Sequence, residues 1–159
     1  MGRARYADAC KGAVGIGEAV KVLVIDGMGG GIGKSIIEKI KSELSEAEIA
    51  AVGTNAIATA AMLKAGADYG ATGENAVVYN AANADYIIGV LGIAFANSMH
   101  GEVSPAMAET VSRSRAHKIL IPIDKCSVTI TGVAAASMQD YINEAVSKLR
   151  EYSSEGLDG

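Results

Sequence analysis

The chain has 159 residues and a formal net charge of −4; half its residues are hydrophobic, yet aromatics make up only 4%, with one Phe and no Trp. That is the size of one ordinary domain with enough apolar material for a core, and the lack of a basic stripe with interleaved aromatics argues against a nucleic-acid partner. No apolar run reaches the roughly 18 residues of a membrane span, and Cys10 and Cys126 are too few and too far apart in sequence for a disulfide framework, so a reducing cytoplasm is the expected setting.

Residues 1–20 carry Arg3 and Arg5, but Asp8, Lys11 and Glu18 interrupt any apolar signal-peptide region. This segment reads either as a translated leader ahead of a natural start at Val20 or as a flexible arm. The domain proper is expected over 21–152, with a frayed tail over 153–159.

KVLVID, residues 21–26, is a short β-branched run that predicts a buried parallel strand. Five glycines follow between Gly27 and Gly33. Ile32, Ile36, Ile37, Ile40 and Leu44 then recur at helical spacing with charged residues between them. EIAAVG, 48–53, is a second strand, and NAIATAAMLKAG is a small-residue helix stopped at Gly66. Thr72 is placed to cap a helix running to about Asn83, and residues 85–91 form a third strand. Ser104-Pro105 has the N-cap and first-position pattern of a helix start. HKILIPI, 117–123, is a fourth strand. SVTITGV, 127–133, alternates well and predicts a fifth, close enough to the fourth for a hairpin-like pair. Ser137 and Asp140 resemble a capping box opening a last helix to about Tyr152. This alternation predicts a three-layer, Rossmann-like α/β sandwich of about five strands in a mostly parallel sheet, with helices on both faces.

The glycine stretch is the main candidate site. A triphosphate loop requires G-x-x-x-x-G-K-[ST]. Gly33-Lys34-Ser35 supplies its end, but Met28 stands where the first glycine belongs. The variant loop of partitioning-type ATPases is similar to Gly29–Ser35, except that Gly29 replaces its signature lysine. The pattern G-x-x-x-G-I-G fits Gly27, Gly31, Ile32 and Gly33, and resembles the cofactor loop of short-chain dehydrogenases. Glycines there let backbone approach a pyrophosphate, and the helix N-terminus favours an anion. That likeness ends with the loop: Tyr69, Tyr79, Tyr86 and Tyr141 are followed four positions later by Gly73, Asn83, Val90 and Ala145, not by the catalytic lysine. The acid expected about 20 residues on, to hold a ribose hydroxyl, is also missing; Gly53-Thr54-Asn55 stands there. Its absence favours NADP or a mononucleotide over NAD.

The ligand of an open α/β sheet sits at the carboxyl ends of its strands. The expected binding residues are therefore Asp26, Gly27, Met28, Gly29, Gly30, Gly31, Ile32 and Gly33 in the loop. Thr54 and Asn55 are expected towards the ribose, and Glu74, Asn75, Gly92, Asn97 and Ser98 around the rest. His100 and Glu102 are further polar residues of the same loops. Several of these have simpler roles open to them: Thr72, Glu74 and Asn55 as helix caps, Asp26 as an acceptor for turn amides, His100 as a solvated side chain. No metal-ligand spacing is present and no catalytic residue is assigned. The expected function is nucleotide or dinucleotide binding. A non-catalytic sensing module and a divergent P-loop ATPase or GTPase are alternatives, and a homodimer is compatible with the small apolar helix residues.

Taken together, VIDGMGGGIGKSIIEKI, GTNAIATAAMLKAGADYGATGENAVVYNAANADYIIG, ANSMHGE and KILIPIDKC resemble a small bacterial family of unknown function, over about Lys21 to Ala145. The resemblance implies a stand-alone Rossmann-like domain beginning just before the first strand, which favours the Val20 start. It transfers no substrate and no catalytic residue.

Overall fold

The computed structural model describes residues 18–123 and 127–155. The greater part of the expected leader, and Cys10 and Cys126, lie outside the described residues. Five strands, β1 (Lys21–Asp26), β2 (Glu48–Gly53), β3 (Tyr69–Thr72), β4 (Tyr86–Val90) and β5 (His117–Ile121), form one sheet in the order β3-β2-β1-β4-β5. Every pairing is parallel. The helices are α1 (Gly31–Glu43), α2 (Ala56–Lys64), α3 (Glu74–Ala81), α4 (Pro105–Arg113) and α5 (Met138–Glu155).

The three layers follow from the pleat, which sends successive side chains of a strand to opposite faces. Val22 and Val24 of β1 pack in one core with Ile36, Ile37 and Ile40 of α1, Met62 of α2 and Ile142, Val146 and Leu149 of α5. Leu23 and Ile25 pack in the other with Val77 of α3 and Met107, Ala108 and Val111 of α4. β1 is covered on both faces, hence its uninterrupted apolar run. Fully burying one such Ile or Leu is worth about 1.5–3 kcal/mol.

Three helix starts follow their sequence signals. Asn55 caps α2 by accepting from Ala58 N at 2.9 Å. Ser104 caps α4 ahead of Pro105, accepting from Met107 N at 3.2 Å. Ser137 and Asp140 exchange bonds as a capping box, with Asp140 N donating to Ser137 Oγ and Ser137 N to Asp140 Oδ2.

Three expectations are corrected. Residues 127–133 form no strand and are mostly exposed, so the hairpin-like pair does not exist. Their β-branched residues suit a strand, but Ser127 and Gly132 take positive φ, outside the extended region a strand needs. The fifth strand is the four-residue β3, which has no apolar run and exists because Ala50 to Gly53 of β2 pair with Tyr69 to Thr72. Thr72 ends that strand rather than capping α3; Gly73 is the cap, and Thr72 Oγ1 lies 2.7 Å from Thr59 Oγ1. The last helix extends to Glu155, past the expected start of the tail; residues 156–159 lie outside the described residues.

Candidate ligand cleft

β2 and β3 lie on one side of β1, and β4 and β5 on the other. The chain reverses its direction of winding between β1 and β4, where the loops leaving the two strands part. A cleft of about 760 Å³ opens there. Its polar lining comes from Asp26, Asn97, Ser98, His100 and Ser127, with backbone of Gly27, Gly31 and Gly92. Met28, Ile32, Phe95, Met99, Ile123 and Met138 form apolar walls. Met28 and Phe95, the sole Phe, are 50% and 39% exposed.

The glycine turn is fixed by sterics. A Cβ on Gly33 would come within 2.8 Å of Asp26 Cβ and 2.5 Å of Met62 Sδ, so this glycine lets α1 pack onto the strand end. Gly30, the N-cap of α1, has φ +71 and backbone of Ala58 where a Cβ would stand. A Cβ on Gly27 would strike Glu102 Oε2, Met99 Sδ and Thr54 Oγ1. At Gly29 and Gly31 a Cβ would meet nothing within 4 Å, so packing explains three of the five glycines and not these two.

Two carboxylates hold the turn's amides. Gly30 has no side chain to cap α1, and Asp26 does so from the strand end. Its Oδ1 accepts from Gly27 N at 2.8 Å and its Oδ2 from Gly33 N at 2.7 Å. Burial pushes the Asp26 carboxyl above its ordinary value, against the Gly33 and Gly27 amides that lower it, and the nearby charge of Glu102 raises it further. Glu102 Oε2 accepts from Met28 N at 2.7 Å, Thr54 Oγ1 at 2.5 Å and Asn55 Nδ2 at 3.1 Å. The Met28 amide, then the Thr54 hydroxyl, hold Glu102 below the usual carboxylate range. Asn55 Nδ2 also donates to Met28 O at 2.9 Å.

Of the sequence-predicted residues, Asp26, Gly27, Met28, Gly31, Ile32, Gly92, Asn97 and Ser98 come together in the cleft lining. Gly29, Gly30 and Gly33 belong to the same turn without lining it. Thr54 and Asn55 stand outside the lining, as does Glu102; Asn55 and Glu102 touch it at Met28. Glu74 and Asn75 are exposed in the first turn of α3, outside the lining, and Glu74 accepts from Ser104 Oγ. Ser98 Oγ donates to Gly92 O. Lys34 reaches Glu38 at 3.8 Å on the exposed side of α1, and Ser35 Oγ donates back to Gly31 O at 3.1 Å; neither side chain lines the cleft, where a triphosphate loop would use both. Sequence reasoning named Met28 and Ile32 but missed Phe95, Met99, Ile123 and Met138 of the apolar wall; the lone Phe, set between Gly92 and ANSMHGE, was the available signal. It also noted Glu102 without assigning it to the β2 end.

A family model described as Domain of unknown function (DUF3842) matches residues 21–154. The chain belongs to the DUF3842 family. The match covers every strand and all but the last residue of α5, so the cleft is built wholly within the DUF3842 domain. No curated protein matches the chain. No helix among the described residues is long and apolar enough to cross a membrane, and these residues contain no cluster of three or more His, Cys, Asp or Glu placed to hold a metal ion.

Proposed function

We propose that this DUF3842 domain binds a nucleotide or dinucleotide in the cleft between β1 and β4. The observation that carries the reading is Gly31. It lines the cleft at the first turn of α1, at the switch point of a doubly wound sheet, and no protein atom fills the space its side chain would take. The division of labour among Gly27, Gly31 and Gly33 supports the same reading: one permits the turn, one leaves room for a ligand, one allows helix and strand to touch. The exposed Phe95 and Met28 offer apolar surface for a planar base. Because Asp26 and Glu102 already hold the Gly27, Gly33 and Met28 amides, a pyrophosphate would rely on the amides of Gly29 and Gly31, which have no acceptor among the described residues. A modest affinity is expected.

Calorimetric titration with NAD, NADP, FAD, ATP and GTP tests this. At least one binds below millimolar concentration, and Gly31→Ala weakens it about tenfold or more while the melting temperature stays within about 2 °C, since the added Cβ meets no protein atom within 4 Å. No binding by any of the five at millimolar concentration ends the reading. A ligand-sensing module is favoured over an enzyme by one observation: both Asp26 oxygens are engaged by amides, leaving His100 the one other titratable side chain of the lining among the described residues. The reading takes a reducing cytoplasm as the setting. It also allows a homodimer using exposed Ile57 and Leu63 of α2, which native mass spectrometry would detect.

A further inference from the structure

In a doubly wound sheet the acid that holds a nucleotide ribose stands at the carboxyl end of β2. This chain has Thr54 and Asn55 there and no acid. The loop after β4 brings one. Glu102 crosses to the β2 end and is bonded by both of those side chains and by the Met28 amide. All three bonds fall on Oε2, and Oε1 accepts none among the described residues. One oxygen is therefore pinned by three donors against Gly27 and Met28, two residues of the cleft lining, while the other has no donor among the described residues. A vicinal ribose diol offers two O–H donors to such an oxygen. A phosphate on the 2′ position would instead bring two negative charges against an ionised carboxylate. Among the described residues the cleft lining holds no Lys or Arg to offset them.

Resting on the nucleotide reading above, we propose that Glu102, which stands outside the lining but against its Gly27 and Met28, is the ribose-diol acceptor at the β2 edge of the cleft. It makes the site select nucleotides with a free 2′,3′-diol, such as NAD, over 2′-phosphorylated ones such as NADP. Thr54 and Asn55 are its positioning residues: they orient the carboxylate through Oε2 rather than touching the sugar.

The test is calorimetric titration of the intact chain with NAD, NADP and 2′-deoxy-NAD, repeated on Glu102→Gln after circular dichroism confirms its fold. The wild type binds NAD at least about tenfold tighter than either analogue, because a like-charge clash and an unmet acceptor each cost at least that much. In Glu102→Gln the NAD-to-NADP ratio falls to about threefold or less. A wild type that binds NADP as tightly as NAD overturns the assignment while leaving nucleotide binding intact, and needs no variant to establish it. So does an unchanged ratio in Glu102→Gln. Failure of all three ligands to bind the wild type at millimolar concentration overturns both this assignment and dinucleotide binding at the site.

Discussion

The turn after β1 and the loop after β4 face each other across the cleft and are built in opposite ways. The first passes from strand to helix in four residues, and its backbone is held by contacts no side chain could share: Met62 and Asp26 against Gly33, Ala58 against Gly30. The second runs from Leu91 to Ser104 through two short 3-10 turns and places Asn97, Met99 and His100 at positive φ without glycine, at a cost of about 1–2 kcal/mol for a typical residue so placed. Ser98 Oγ to Gly92 O, Asn97 N to Val103 O at 2.7 Å and the Glu102 bonds hold it down. One wall of the cleft is set by tight packing as well as by carboxylate ties, and the other chiefly by a few polar ties, so the two should fail differently.

The largest effect is expected where packing is tightest. Gly33→Val forces a branched side chain against Met62 and Asp26 and destabilises the fold by about 2–3 kcal/mol, a fall of about 5–10 °C in Tm by calorimetry. A Tm within 2 °C of wild type would mean that α1 can move off the strand, and the contrast between the walls would weaken.

The two carboxylates give an intermediate effect of opposite sign. Asp26 is raised in the folded state, so it favours folding below its unfolded value near 3.8 and loses that advantage as pH rises through its folded value. Glu102 is lowered, so its contribution is present above about 4.5 and is lost as pH falls through its folded value. In urea unfolding between pH 3 and pH 7, the wild type therefore loses stability relative to Asp26→Asn as pH rises. Relative to Glu102→Gln it loses stability as pH falls. Equal slopes for the two variants would erase the distinction. The smallest effect is expected at His100, whose φ of 56 favours glycine. His100→Gly raises stability by about 0.5 kcal/mol, the relief of strain being partly offset by the greater freedom of glycine in the unfolded chain. A loss of 1 kcal/mol or more would show that the imidazole itself holds the loop.

Much of this architecture is legible in the sequence. β1, β2, α1 and the starts of α2, α4 and α5 follow from apolar runs, a helical period and Asn, Ser-Pro and Ser-Asp caps, which are local signals. β3 is not legible because YGAT carries no strand signature and acquires one by lying beside β2. The false strand at 127–133 is the converse, a good local pattern that pairs with no strand although β5 is an edge of the sheet. In the site, the glycine turn and its Asp26 could be read from spacing. Glu102 could not, because 48 residues separate it from Thr54 in the chain while 2.5 Å separate their oxygens in the fold.

What the sequence determined by itself is a doubly wound α/β domain with a glycine-rich turn after its first strand, since period, capping and glycine spacing are properties of neighbouring residues. The tertiary structure alone decided that the turn's amides are held by two carboxylates, that two of its glycines face open space, and that an acid absent from β2 reaches its end from the loop after β4. Those outcomes depend on which strands lie side by side, and strand order is set by the burial of two cores rather than by any local run of residues.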